Sequence, residues 1–266
     1  MQYNIIGDIH GRTCWEKLVR DNAINIFVGD YFDPYEYIPY DKLKDNFLNI
    51  IQFAKTNPGT VLLLGNHDLH YIHHEPGTSR KDSLHENQIE QLFLNNIHMF
   101  SGMAYAITDK VLVSHAGVTN EWLDNTMMPA SVERTAKNIA NHVNNVFYSG
   151  YTESTFADGS VEHDWGSTPW NTGLKHFQFG TCADWNDVYG DSVGQSPAWV
   201  RPMTLIQHTA LPGGTQIVGH TQTEEINPNF DPRIIIVDTL GQGFIASLLV
   251  TVDEKEQVTF SVNKLQ

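Results

Sequence analysis

Cysteine is almost missing from this chain of 266 residues: only Cys14 and Cys182 occur. Two thiols so far apart make no disulfide framework, fit a reducing compartment and read as packing residues. Basic residues are also scarce, with 16 Lys and Arg against 31 Asp and Glu and a formal charge of −15. A field of that sign repels phosphate backbones, and no block of Lys or Arg interrupts it, so duplex nucleic acid is excluded as a partner. Long apolar runs are absent as well. Nothing approaches the roughly 18 apolar residues of a membrane span. The opening "MQYNIIGDIHG" has no basic stretch and only three consecutive apolar residues, so no membrane partner and a cytoplasmic location are expected. Internal repeats, low-complexity tracts and interdomain linkers are missing too, which predicts a single domain over 1–266.

What is present begins with composition. A hydrophobic content of 41% is ordinary for a soluble globular protein, and the length is enough for one large core or two small ones. Acidity has a second reading besides repulsion: carboxylates gathered in one place are neutralised by divalent cations.

The pattern that organises the chain is a set of six short, β-branched apolar runs, each ending in a residue of metal-ligand type: "YNIIGDIH", "INIFVGDYFD", "TVLLLGNHD", "KVLVSHAG", "TQIVGH" and "RIIIVDT". Such runs read as buried strands, and functional groups of an α/β sheet gather beyond the strands' carboxyl ends, so all six point to one place. Helical patterns are expected between the first three runs. The clearest is "DKLKDNFLNIIQFAKTN", with Leu43, Phe47, Ile50, Ile51 and Ala54 on one face. This predicts β-α-β-α-β and a parallel start. A second helix is predicted over "SVERTAKNIANHVNNVF" through Val132, Ala136, Ile139, Val143 and Val146.

From Tyr151 to Pro202 the chain is rich in Gly, Ser, Thr, Asp and Trp without a sustained period. A structureless loop of that length is unusual, so an inserted cap over the site is expected at about 120–205, with Trp165, Trp170, Trp185 and Trp199 as its core. The strand-like runs that follow, with little helix between them, predict a mostly antiparallel carboxyl-terminal sheet. The fold class is α/β (α+β).

Taken alone, Asp8 and His10 in "GDIHG" describe a turn and a surface histidine as well as a ligand pair, and Asp30, Asn66, His67 and Asp68 each read as loop-starting residues. Together with His115 and His220, the residues Asp8, His10, Asp30 and Asn66 form a set of carboxylate, amide and imidazole groups gathered at the ends of the apolar runs. That mixture suits manganese, iron or zinc, and the lack of thiolates argues against a structural zinc site. Six residues are enough for two cations. If one carboxylate bridges them they lie roughly 3.5–4 Å apart and share a water whose pKa falls from about 15.7 toward 7, giving a hydroxide nucleophile.

The motifs "GDIHG", "GDYFD", "GNHD", "SHAG" and "VGHT", in that order, resemble those of the calcineurin-like metallophosphoesterases, in the branch of the phosphoprotein phosphatases and symmetrical diadenosine tetraphosphate hydrolases. The resemblance covers 1–118 and 214–252. It implies a central mixed β-sandwich flanked by helices. It implies Asp8 and His10 on a first metal, Asp30 bridging, and Asn66, His115 and His220 on a second, with Mn2+ ahead of Fe or Zn. It implies His67 as the acid that protonates the leaving oxygen, kept in the imidazolium form by Asp33.

Three departures stand out. "GNHD" ends in Asp where Glu is usual, "SHAG" has Ala116 in place of a glycine, and Pro34 and Tyr35 stand where the branch carries arginine and glycine. The last removes a bidentate phosphate ligand. Arg201, between His115 and His220, is the preferred replacement, and Arg12 the second candidate. His70, His73 and His74 read as a solvated loop near the site, while His85, His98, His142, His163, His176 and His208 carry no motif.

The function this predicts is hydrolysis of phosphomonoesters, on phosphoserine or phosphothreonine in a protein or on a small molecule. A dinucleoside polyphosphate hydrolase and a phosphodiesterase are the enzyme alternatives, and a metal-binding interaction protein on the same fold is the alternative without catalysis. Retention of every implied ligand and of His67 speaks against the last.

Overall fold

The computed structural model describes residues 1–72, 79–149, 152–155, 161–164, 179, 191–241 and 245–265. Its strands are β1 (Gln2–Ile6), β2 (Ile24–Phe27), β3 (Val61–Leu62), β4 (Ala104–Thr108), β5 (Val111–Ser114), β6 (Thr152–Thr155), β7 (Val161–Asp164), β8 (Thr215–Val218), β9 (Ile234–Ile236), β10 (Ala246–Val252) and β11 (Val258–Lys264). Two mixed sheets hold nine of them, in the orders β11-β10-β1-β2-β3 and β4-β5-β8-β9, while β6 and β7 form a separate antiparallel pair.

Alternation along the strands explains why the two sheets face each other. Tyr3 and Ile5 of β1, Ile26 of β2 and Leu248 and Val250 of β10 share one buried cluster with Val111 and Val113 of β5, Ile217 of β8 and Ile235 of β9. The opposite faces carry helices. Helix α1 (Tyr40–Thr56) buries Leu43, Phe47, Ile50, Ile51 and Ala54, the face predicted from its period, with Phe27, Leu62 and Leu64 in the same cluster. Helices α2 (Asn66–Ile72) and α3 (Glu86–Leu94) pack on each other. Beyond the short α4 (Asn120–Asn125), α5 (Ala136–Tyr148) packs on β4 and β5, and α6 (Pro202–His208) sets Leu205 and Ile206 against Val218 and Ile234.

The parallel start is present: β1 pairs with β2 and β2 with β3 in parallel register, Ile5 beside Ile26 and Phe27 beside Leu62. Three expectations change. Only a single 3-10 turn, Cys14–Lys17, joins β1 to β2 in place of a helix. The strand-like runs after residue 214 are only partly antiparallel, because β8 lies parallel to both β5 and β9, while β10 and β11 add antiparallel to β1. Helix α5 begins at Ala136, where the Thr135 hydroxyl accepts from the Asn138 N–H, so Val132 stays outside it and exposed. Of the tryptophans expected in a cap, Trp165, Trp170 and Trp185 lie outside the described residues, as do Cys182, His73, His74 and His176 and the side chain of His163.

Candidate metal centre

Several residues of the site leave their strands through a left-handed backbone turn. His10, Asp30, Asp33 and His220 have φ values of 43°, 55°, 58° and 62°, a left-handed conformation that costs a non-glycine residue on the order of 1–2 kcal/mol. Four such residues at one place are held there by their neighbours. Past the ends of β1 and β2 the ladder continues: His10 N–H donates to the Asp30 carbonyl at 2.6 Å and Gly11 N–H to that of Tyr31 at 3.0 Å. Asp68 ties the second and third strand ends together, accepting from the N–H groups of Asp30 (2.7 Å), Gly65 (2.8 Å) and Tyr31 (2.9 Å).

Asp8, His10, Asp30, Asn66, His115 and His220 come together. One ligand atom each of Asp8, His10 and Asp30 lies within 4.8 Å of the other two. Asp30 Oδ2 sits 3.5 Å from His10 Nε2 and 3.5 Å from His115 Nε2. Asn66 Oδ1 is 2.8 Å from His115 Nε2 and 3.0 Å from His220 Nδ1. The far nitrogens of two imidazoles are spent on carbonyls: His10 Nδ1–H donates to Phe32 and His115 Nδ1–H to Val28, each at 2.9 Å. Both rings therefore aim the Nε2 lone pair into the site, the tautomer a metal requires.

Electrostatics in the protein alone are unfavourable in the way a cation would correct. Burial, with Asp238 and Asp30 nearby, drives the Asp8 carboxyl well above the usual range; burial and Asp68 do the same to Asp30. Burial also lifts Asp68 to about 7 and Asp238 to about 6, and it holds His115 down at about 3, with His10 and His220 likewise well below their ordinary value. Both Asp238 carboxylate oxygens are buried without a donated hydrogen bond. A Cβ on Gly219 would collide with Asp8 Oδ1, and one on Gly65 with Asp30 Oδ1, so the glycines keep room for carboxylates. Hard oxygen and imidazole donors, uncompensated acids and lone pairs facing lone pairs fit a divalent-cation centre.

Beside it lies a second buried cluster. Asp33 Oδ2 is 2.8 Å from both His67 Nδ1 and His70 Nε2, and Asp33 Oδ1 accepts from the Tyr71 hydroxyl. These three residues, Asp33, His67 and His70, also satisfy metal-ligand spacing, but their hydrogen bonds already use the carboxylate. Burial pushes Asp33 up, and the two imidazoles outweigh it, leaving the carboxyl at about 2. His67 is held below its ordinary value, because burial and the Arg80 charge exceed the pull of Asp33. Arg80 Nη2 donates to His67 Nε2 at 3.1 Å, which leaves the ring's proton on Nδ1, toward Asp33. The expectation for His70 is corrected: it is buried on α2 as a partner of Asp33, not solvated in a loop.

Arg201 is half-buried at the start of α6, with Nη1 3.2 Å from Thr221 Oγ1 and 3.5 Å from the His220 carbonyl. Arg12 follows Gly11 and faces Asp238, whose carboxyl it lowers. Sequence reasoning gave no role to Asp68, Tyr71, Arg80 and Asp238 and placed His70 in a loop. Asp68 and Asp238 had a usable signal, since the runs "TVLLLGNHD" and "RIIIVDT" end at them.

The fold is similar to that of the cold-active protein-tyrosine phosphatase of the psychrophile Shewanella sp., with a TM-score of 0.53 and 17% identity over 100% of this chain and 80% of that one. It is similar as well to a protein serine/threonine phosphatase from Saccharomyces cerevisiae, with a TM-score of 0.52 and 12% identity over 100% and 80% of the two chains. No curated protein matches the chain. The family model of the calcineurin-like phosphoesterases matches residues 1–236. With buried acids and imidazoles converging at the ends of its strands, the chain belongs to the calcineurin-like phosphoesterase family and is a metal-dependent phosphoester hydrolase.

Proposed function

We propose that the protein hydrolyses phosphomonoesters with two divalent cations, Mn2+ foremost. Asp8, His10 and Asp30 hold one; Asp30, Asn66, His115 and His220 hold the other. The observation that carries this reading is Asp30 Oδ2, equidistant at 3.5 Å from His10 Nε2 and His115 Nε2, where one oxygen serves two ligand sets. Cations bound there supply charge neutralisation on the phosphoryl group and a lowered water pKa.

The chain's own groups do the rest. Asp33 fixes the His67 ring through Nδ1, which leaves Nε2 facing the site. Once the Arg80 N–H it accepts is given over to substrate, that nitrogen takes up a proton from solvent and delivers it to the leaving oxygen. Arg201, beside His220, lies where it can meet phosphoryl oxygens from the side of the second sheet. A protein phosphomonoester and a small one use the same groups.

Calorimetric titration of the metal-free protein with Mn2+ is expected to show two sites in the wild type and a loss of binding in Asp30→Asn. Turnover of p-nitrophenyl phosphate is expected to fall about 10²–10⁴-fold in His67→Asn, the range of a lost general acid. Unchanged turnover in His67→Asn removes its role as acid, and absence of metal binding in the wild type removes the centre. Preference for bis(p-nitrophenyl) phosphate over the monoester turns the reading to a phosphodiesterase.

A further inference from the structure

Pro34 leaves the turn after Asp33 without a guanidinium, and another element brings one to the same place. Arg80, between α2 and α3, donates from Nη1 to the Asp33 carbonyl at 3.0 Å while Nη2 reaches His67 Nε2. Its guanidinium carbon lies 3.6 Å from the centroid of the Tyr35 ring, a stacking distance, and that of Arg12 lies at 5.3 Å. Tyr35 is next in the chain to Pro34, and its ring meets His10 edge-on at 5.0 Å. The two residues that displace arginine and glycine thus form a platform for an arginine 46 positions away, counting from 34 to 80.

The backbone supports a functional reading of this contact. Arg80 has φ 73°, a left-handed conformation that a non-glycine residue keeps only when its surroundings hold it there. The position of Nη2 is also informative. It lies against the His67 nitrogen that serves the leaving oxygen, so Arg80 stands beside the bond to be broken. Arg201 approaches from the opposite ligand set, at His220 and Thr221.

We propose that Arg80, oriented by Tyr35, is the phosphate-gripping residue that replaces the missing guanidinium at position 34, and that it selects monoester dianions over diesters. The inference rests on the phosphoesterase reading above and names the group that sets its substrate class. A monoester dianion presents three unesterified oxygens and two negative charges to a planar fork of N–H donors, whereas a diester presents two oxygens and one charge, with a second substituent in the space of the third oxygen.

The test uses the full, Mn2+-loaded chain with Arg80→Ala, Arg80→Lys, Tyr35→Leu and Arg201→Ala, and reads two quantities: calorimetric affinity for inorganic phosphate, and KM and kcat on p-nitrophenyl phosphate and its diester. Arg80→Ala is expected to weaken phosphate binding and raise the monoester KM by about 10–100-fold, the range of a lost charge-assisted contact. The diester loses less. Arg80→Lys falls between, Tyr35→Leu shifts the monoester KM in the same direction, and millimolar guanidinium restores part of what Arg80→Ala loses. Unchanged phosphate affinity in Arg80→Ala, equal losses on both esters, or a loss found only in Arg201→Ala overturns the assignment. If the wild type binds phosphate but hydrolyses neither ester, the catalytic reading fails, and the phosphate titration still decides the role of Arg80.

Discussion

Asp33 accepts from two imidazoles and a phenol, and its carboxyl stays ionised down to about pH 2. Its contribution to stability is complete above the ordinary carboxyl value of about 3.9 and is lost as pH falls through the folded value. The gap in unfolding free energy between wild type and Asp33→Asn is therefore expected to shrink between pH 4 and pH 2 in acid denaturation. A gap that stays constant over that range would show that the imidazoles do not hold it. A steric counterpart is Gly219→Ala: its methyl group displaces Asp8, so Mn2+ affinity falls while the sheet remains folded, as titration and circular dichroism would show. At this scale the ligands were legible because they gather at the ends of the apolar runs. Arg80 and His70 were not. Their contacts with Asp33 cross 47 and 37 residues and depend on loop backbone, including a left-handed Arg80, that no local pattern encodes.

Between residues and the whole molecule, the helix–sheet contacts are pinned by single polar side chains. Asn144 of α5 accepts from the N–H groups of Met103 (2.8 Å) and Ala104 (3.0 Å) and donates to the Ala104 carbonyl at 2.8 Å, fixing the helix to the start of β4. Asn144→Ala is expected to cost about 1–3 kcal/mol in urea unfolding, since it leaves strand-end groups unpaired. A loss near zero would mean that water replaces all three bonds. The period of α1 was readable because five apolar residues mark one face. The start of α5 was misplaced because Val132 continues the apolar spacing, whereas the Thr135 cap fixes the first turn. The direction of β8 and β9 was hidden for another reason: parallel pairing of β8 with β5 joins segments a hundred residues apart, and nothing within either strand records it.

For the molecule as a whole, the raised acids and lowered imidazoles act in opposite directions. Asp8, Asp30, Asp68 and Asp238 bind protons more tightly when folded, so without cations they cost stability as pH rises above the ordinary carboxyl value of about 3.9, a loss that is complete for Asp238 at about 6 and for Asp68 at about 7. His10, His115 and His220 bind protons less tightly when folded, so they cost stability as pH falls below about 6.5. The two losses oppose each other below about pH 6.5, where the imidazoles titrate in the unfolded chain, so thermal unfolding in chelator is expected to show Tm falling as pH rises above that value, where only the acids act. Mn2+, which takes ionised carboxylates and neutral imidazoles, should raise the alkaline limb most. An alkaline limb that ignores the cation would place those acids away from it. Last, Asp8 of the first sheet accepts from the His220 N–H of the second, and His115 of the second donates to Val28 of the first. A centre whose donors come from both layers is a cross-link, so removing its cations is expected to split amide exchange into two protection levels, one for each sheet, where the loaded protein shows one.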